Sequence, residues 1–248
     1  MIYFDSTATT KPLKEVLDTY SKINEEYWFN PSGMYNGSVV VSNLIDKATK
    51  QIESTLKLNN KNIYYTSGAT EANNMAIMGI CMPYINQGKH IITTYIEHPS
   101  VYNVFKHLEN LGFNVTYLKC ENGIVDLEEL KNSLTKDTIL VSTMWVNNII
   151  GSINPIKEII EIVKNNSRAK LHVDAVQGIA KIKEDFDYND IDLFSITFHK
   201  IEGLKNVGAL ILNKSIQLTP LFKGGHQQKE VRPGTLDASL IVSSAKTL

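Results

Sequence analysis

Apolar positions recur along this chain with two periods, one near 3.6 and one near 2, and the two alternate. After Thr10-Lys11-Pro12, Leu13, Val16, Leu17, Tyr20 and Ile23 repeat at helical spacing, which predicts a helix with Pro12 in its first turn. The turn formers Asn30-Pro31-Ser32-Gly33 and Asn36-Gly37 predict a loop over 27–37. Val41, Leu44, Ile45, Ala48 and Ile52 mark a second amphipathic helix. A strand is expected over 62–66, broken by Ser67-Gly68, and then a helix over 69–82. From there the alternation is regular. Strands are expected over 90–94, 114–118, 138–143, 171–173, 193–197 and 207–212, and helices over 99–111, 127–134 and 155–163. Val101, Val104, Phe105 and Leu108 share one face of the 99–111 helix, and Gly112 stops it. The last residues, 244–248, also read as helical.

Strands that alternate with helices imply an α/β fold: a three-layer sandwich with a mostly parallel central sheet covered on both faces. The chain has 248 residues, enough for one large domain with a substantial core. In such sheets ligands sit beyond the carboxyl ends of the strands. Those ends carry polar residues here: Ser67-Gly68-Ala69-Thr70, Glu97-His98, Asn147-Asn148, Asp174 with Gln177, and Thr197-Phe198-His199-Lys200. Each alone has an ordinary structural explanation. Ser67 to Thr70 reads equally as a helix cap, Asn147-Asn148 as a turn, His98 as a capping or exposed residue, and Gln177 as a helix-face residue. Five such signals at five strand ends point to one site.

Lys200 follows the apolar run Leu193, Phe194, Ile196 and Phe198. A lysine there either ends the strand in solvent or is an amine held for chemistry, since desolvation makes it a better nucleophile toward a carbonyl. Asp174, at the end of another apolar strand, favours chemistry. A lysine for a Schiff base and a carboxylate for a pyridinium nitrogen are the pair that pyridoxal phosphate requires.

Composition narrows the alternatives. The net charge is −1, with 43% hydrophobic and 21% charged residues, and no block of Lys or Arg. Nucleic acid is therefore not expected as a partner. No apolar run approaches the roughly 20 residues that span a bilayer, and the N-terminus lacks a signal-peptide pattern. No membrane association and a cytoplasmic location are the expectation. Cys81 and Cys120 form neither metal spacing nor a disulfide framework, so no metal is expected. Only Arg168 and Arg232 are arginine, the favoured clamp for a carboxylate.

The segments Asp5-Ser6-Thr7-Ala8-Thr9-Thr10, Asn30-Pro31-Ser32, Thr66-Ser67-Gly68-Ala69-Thr70-Glu71, Glu97-His98, Val146-Asn147-Asn148-Ile149-Ile150-Gly151, His172-Val173-Asp174-Ala175-Val176-Gln177, His199-Lys200 and Arg232-Pro233-Gly234-Thr235 occur in this order. In order and spacing the chain resembles the cysteine desulfurases, of the class V aminotransferase group of pyridoxal-phosphate enzymes. The resemblance implies the large domain of a fold type I enzyme and pyridoxal 5′-phosphate as cofactor. Lys200 and His98 would be catalytic, Lys200 holding the cofactor and then moving a proton, His98 stacking on its ring. Asp174 would pair with the ring nitrogen, Gln177 would bond the ring oxygen, and Asn148 would lie near that oxygen and the substrate carboxylate. Ala69, Thr70, Thr197 and His199 would bind the phosphate end. Thr235 would reach the phosphate of a second subunit, which implies a homodimer.

Five positions depart from the family pattern. Phe198 and Tyr35 stand where the family usually has glycine and histidine, Ile149 follows Asn-Asn where glutamate is usual, and Leu204-Lys205-Asn206 replaces Pro-Lys-Gly. The family also continues into a C-terminal small domain with a persulfide-forming cysteine and a substrate-binding arginine. The expectation is that this domain is absent, that residues 1–12 are a segment that would pack with it, and that 13–248 are the cofactor-binding large domain. The complete protein would convert L-cysteine to L-alanine and pass sulfur to an acceptor protein. The alternatives are a class V aminotransferase, a β-lyase or selenocysteine lyase, and a scaffold without catalysis.

Overall fold

A computed structural model describes residues 2–86 and 89–248. Two helices open the chain, α1 (Lys14–Glu26) and α2 (Asn36–Thr55). Then follow β1 (Lys61–Thr66), α3 (Ala69–Cys81), β2 (His90–Thr94), α4 (Pro99–Asn110), β3 (Asn114–Leu118), the short pair β4 (Cys120–Glu121) and β5 (Ile124–Val125), α5 (Leu127–Ser133) and β6 (Thr138–Met144). The remainder is α6 (Ile156–Asn166), β7 (Lys170–Asp174), β8 (Leu193–Thr197), β9 (Gly208–Asn213) and α7 (Ala238–Ser244).

Seven strands form one sheet in the order β1-β9-β8-β7-β6-β2-β3. All neighbours are parallel except β9, which runs antiparallel to both β1 and β8. The expected mostly parallel sheet is therefore present, and the carboxyl ends of β1, β2, β6, β7 and β8 share one edge.

The pleat divides the core in two. Successive strand residues point to opposite faces, and Ile91 and Ile92, Leu140 and Val141, Leu193 and Phe194, and Leu210 and Ile211 separate accordingly. On one face Ile77 of α3 and Val104, Phe105 and Leu108 of α4 close the layer. On the other Val41, Ile45 and Ile52 of α2, Leu130 of α5, and Ile156, Ile159, Ile160 and Val163 of α6 do so. These rows are the helical repeats read from the sequence, which gives three layers. Helix α7 packs against α1 and α2. No described helix is long and apolar enough to cross a membrane.

The elements differ from expectation in four places. The last helix, α7, is Ala238–Ser244 and ends where residues 244–248 were expected to be helical. Pro12 lies before α1 rather than in its first turn, because Leu13 N donates to Glu202 O and ties the chain to the turn after β8. Helix α2 begins at Asn36, inside the expected loop, with Tyr35 as its N-cap. The β4–β5 hairpin was not expected. Its turn is Asn122-Gly123, with φ of 51° and 78°, the pair best suited to two successive positive φ values.

Candidate active site

Beyond the carboxyl ends of β1, β6, β7 and β8 lies a cavity of about 550 Å³. Ala69, Thr70, His98, Asn148, Asp174, Gln177, Thr197, His199 and Lys200 all line it. Of the candidate catalytic and cofactor-binding residues, only Thr235 lies elsewhere, in a separate hollow with Trp28, Phe29 and Leu236.

One end of the cavity is an anion cradle. Gly68 is the N-cap of α3 with φ +149°, where a side chain would be strained, and no side chain caps the helix. The free N–H groups of the first turn suit an anionic group. Gly208 lies behind it. A Cβ there would come within 2.8 Å of Gly68 Cα and 2.7 Å of Ile196 O. Glu71 anchors the turn by accepting from Ser67 N at 2.7 Å and from Arg232 Nε at 2.7 Å. Burial raises the Glu71 pKa, but the bonds from Arg232 and Ser67 outweigh it and hold the carboxyl below its usual range.

The middle of the cavity holds the acid. Asp174 ends β7 and is buried, its Oδ1 accepting from Val176 N at 3.1 Å and its Oδ2 from Asn73 Nδ2 at 2.9 Å. Burial pushes its pKa up, against those hydrogen bonds and the nearby His98 and Lys200. A cationic N–H placed before it would relieve that burial.

Lys200 follows β8 on a 3-10 turn, Phe198–Lys200. Phe198 does not enter the cavity. Its side chain joins the core, and its carbonyl accepts from Ile201 N and Gly203 N, which closes the turn. The Lys200 Nζ donates to the carbonyls of Thr7 and, at 2.7 Å, of Ala8. Burial lowers the amine's pKa, opposed by Asp5 and Asp174. His199 bonds Thr9 Oγ1 through Nδ1 at 3.1 Å. Its pKa is pushed down to about 4, by burial first and then by Lys200, Lys205 and Lys181, so the ring is neutral.

The other predicted residues are each tied to a neighbour. His98 caps α4, its Nδ1 accepting from Ser100 N at 3.1 Å. Gln177 Nε2 donates to Thr7 O at 2.9 Å, and its Oε1 accepts from Lys181 Nζ at 2.5 Å. Thr197 Oγ1 donates to Val207 O at 3.1 Å. The Asn147-Asn148 pair divides its work. Asn147 Oδ1 accepts from Ile149 N and Ile150 N and builds the turn, which leaves Asn148 on the cavity.

Thr7 to Thr10 belong to a motif quoted from the sequence but were given no part in the site. They form a strap over Lys200 and His199, with Thr10 N donating to His199 O at 2.9 Å. Residues 7–10 thus pack over the turn that follows β8. Asn73 and Lys181 were also missed. Asn73 carried a signal, a polar residue on the buried face of α3 among Ala72, Met75 and Ala76.

The donor set fits pyridoxal 5′-phosphate. It offers a cradle for a phosphate, an amine for a carbonyl carbon and a buried carboxylate for a ring nitrogen, all on one cavity. Among the described residues no group of three or more His, Cys, Asp or Glu is placed to hold a metal ion.

Comparison with known proteins agrees. Residues 2–238 match the family described as Aminotransferase class-V. The chain is 44% identical over 248 residues to a NifS/IcsS protein homolog of Lactobacillus delbrueckii subsp. bulgaricus, covering 99% of this chain and 64% of that protein. It is 42% identical to the cysteine desulfurase IscS of Methanosarcina thermophila, covering 99% of this chain and 61% of the other. Among solved structures, a NifS-like protein superposes with a TM-score of 0.95 at 34% identity, covering 99% of this chain and 68% of that one. A structure described as SspA in complex with cysteine gives 0.94 at 32% identity, covering 100% and 72%. The chain thus spans about three-fifths of the length of these curated relatives. With a match that runs nearly end to end, the chain belongs to the class-V aminotransferase family, whose cofactor is pyridoxal 5′-phosphate.

Proposed function

We propose that this chain is the cofactor-binding part of a cysteine desulfurase, which in full takes L-cysteine to L-alanine and passes the sulfur to an acceptor protein. The observation that carries this reading is that Lys200, Asp174 and the Gly68 cradle line one cavity, in a chain 39–44% identical to IscS and NifS-type relatives. When bound, pyridoxal 5′-phosphate supplies an electron sink for bonds broken at the amino acid.

The chain's own residues do the rest. Lys200, partly desolvated, would be the amine that meets the cofactor's carbonyl and would later carry a proton at Nζ. Asp174, fixed by two donors, would offer its carboxylate to the ring nitrogen. His98 would stack on the ring. Gln177 and Asn148 would bond the ring oxygen, with Asn148 also serving the substrate carboxylate. Ala69, Thr70, Thr197 and His199 would hold the phosphate. Thr235, outside its own cavity, serves the site of a second copy in a homodimer.

Absorbance tests the cofactor reading. The chain reconstituted with pyridoxal 5′-phosphate should show a visible band that Lys200→Ala abolishes. A colourless protein that resists reconstitution would leave only the scaffold reading.

Within this chain neither Cys81 nor Cys120 lines the cavity, and burial pushes their thiols up to about 12 and about 11, so in a desulfurase the persulfide-forming cysteine would come from the part of the full protein outside this chain. A lyase or aminotransferase needs no persulfide cysteine. Substrate profiling of the full-length protein with cysteine, selenocysteine and an alanine–keto-acid pair separates the two.

A further inference from the structure

Along the cavity wall a line of hydrogen bonds joins Asp174 to His98. Asn73, on the buried face of α3, and Ser100, in the first turn of α4, are both shielded from solvent. Asn73 Nδ2 donates to Asp174 Oδ2 at 2.9 Å and to Ser100 Oγ at 2.9 Å. Ser100 Oγ lies 2.8 Å from His98 Nδ1, and the Ser100 backbone N–H donates to the same ring nitrogen at 3.1 Å.

The direction of every bond in this line follows from the donors. An amide nitrogen and a backbone N–H can only donate. Ser100 Oγ therefore accepts from Asn73, and its single proton goes to His98 Nδ1. That nitrogen takes two donors and carries no proton, so the proton of the neutral imidazole is on Nε2. The Asn73 amide is held the same way round by Asp174. Flipped, it would set Oδ1 against an ionised carboxylate, two acceptors facing one another. As placed, Oδ1 has no hydrogen-bond partner, so the amide is oriented by its nitrogen alone.

We propose that Asn73 and Ser100 are positioning residues that hold the His98 imidazole with its proton on Nε2 and make that tautomer depend on the carboxylate of Asp174. The proposal rests on the reading that Asp174 and His98 face one cofactor. It adds that His98 meets a bound ligand as an N–H donor, and that the acid at the ring nitrogen and the imidazole on the ring face are one unit.

Long-range proton–nitrogen NMR on the cofactor-free chain, labelled at its 6 histidines and assigned with His98→Gln, reads the tautomer directly. The expected wild-type result is a pyridine-type nitrogen shift at Nδ1 and a pyrrole-type shift at Nε2. Ser100→Ala removes one donor of about 1 kcal/mol, so the tautomer ratio should fall about fivefold and the averaged Nδ1 shift should move toward the pyrrole type. Ser100→Thr keeps the hydroxyl and should restore the wild-type spectrum. Asp174→Asn has the same shape but can donate to Asn73 Oδ1 and turn that amide over. It should move the His98 shifts in the wild-type background and leave them unmoved in Ser100→Ala. Asn73→Ala should cut the transmission likewise. Wild-type shifts in Ser100→Ala would overturn the proposal. So would an Asp174→Asn displacement of equal size in both backgrounds, which would mean a field effect that bypasses Ser100. Because no cofactor is present, failure of reconstitution would count against the proposed function alone.

Discussion

Burial sets the chemistry of single residues here, and Glu97 shows it most clearly. Its side chain is enclosed, with Oε1 accepting from Thr94 Oγ1 at 2.7 Å and from Met144 N at 2.9 Å, and Oε2 unpartnered. Burial pushes its pKa up from 4.5 to about 8. The folded state thus keeps a proton that the unfolded chain has released, so stability is full below pH 4.5 and declines as pH rises toward about 8. His172 acts in the opposite sense. It is buried between Ser142 and Ser195, and burial lowers its pKa from 6.5 to about 3, so its contribution is present above 6.5 and lost as pH falls toward about 3. Glu97→Gln keeps the Oε1 acceptor and removes only the first effect. Its thermal midpoint should exceed that of the wild type near pH 8.5, with the gap closing near pH 5. Asp174 makes a second residue-scale prediction. A hydrogen bond to a charged group contributes about 1.5–3 kcal/mol, so Asp174→Asn should weaken retention of pyridoxal 5′-phosphate roughly ten- to a hundredfold, measured by equilibrium dialysis.

At the scale of elements, turns at the strand ends carry the site, and two glycines make the tightest of them. Gly208 begins β9 directly against the Gly68 turn. Gly208→Ala would drive a Cβ into backbone atoms on two sides, which have no rotamer to change. Overpacking of this kind costs about 1–3 kcal/mol. Urea denaturation should show that loss, and cofactor affinity should fall with it because the cradle is what moves. The elements themselves were legible because each helix keeps one apolar stripe and each strand a short apolar run. What eluded the periodic reading was short or pulled from outside. The β4–β5 hairpin has two residues a side, and the start of α1 is set by Glu202, 189 positions downstream of Leu13. Neither leaves a repeat long enough to detect.

Across the whole molecule, the surface bears apolar side chains that a solitary domain would bury. Phe4, Trp28, Met34, Ile149 and Ile150 are all exposed. On the proposed reading that Thr235 serves a second copy, part of this surface would be covered in a homodimer. Light scattering behind gel filtration should then give twice 27.8 kDa. Sulfide release from L-cysteine by this chain should be little or none, as neither thiol lines the cavity and burial holds both protonated. Robust turnover that depends on the cofactor would show that the reaction needs no thiol or takes one from elsewhere.

The sequence by itself determined the layers and the edge of the sheet where the site lies. Apolar periodicity and polar strand ends are local patterns, and Lys200, Asp174, His98, Gln177 and the Gly68 turn could all be placed from them. It also held the family, in the order of its short motifs. Only the tertiary structure decided which partner each of those groups meets. Thr7 and Ala8 over Lys200, Lys181 on Gln177, and Asn73 between Asp174 and Ser100 join residues up to 193 positions apart. A hydrogen bond is fixed by distance and direction in space, which spacing along the chain does not encode. The same holds for charge, because burial shifts the pKa values of the Asp174 carboxyl and the Lys200 amine, and each group opposes the shift of the other.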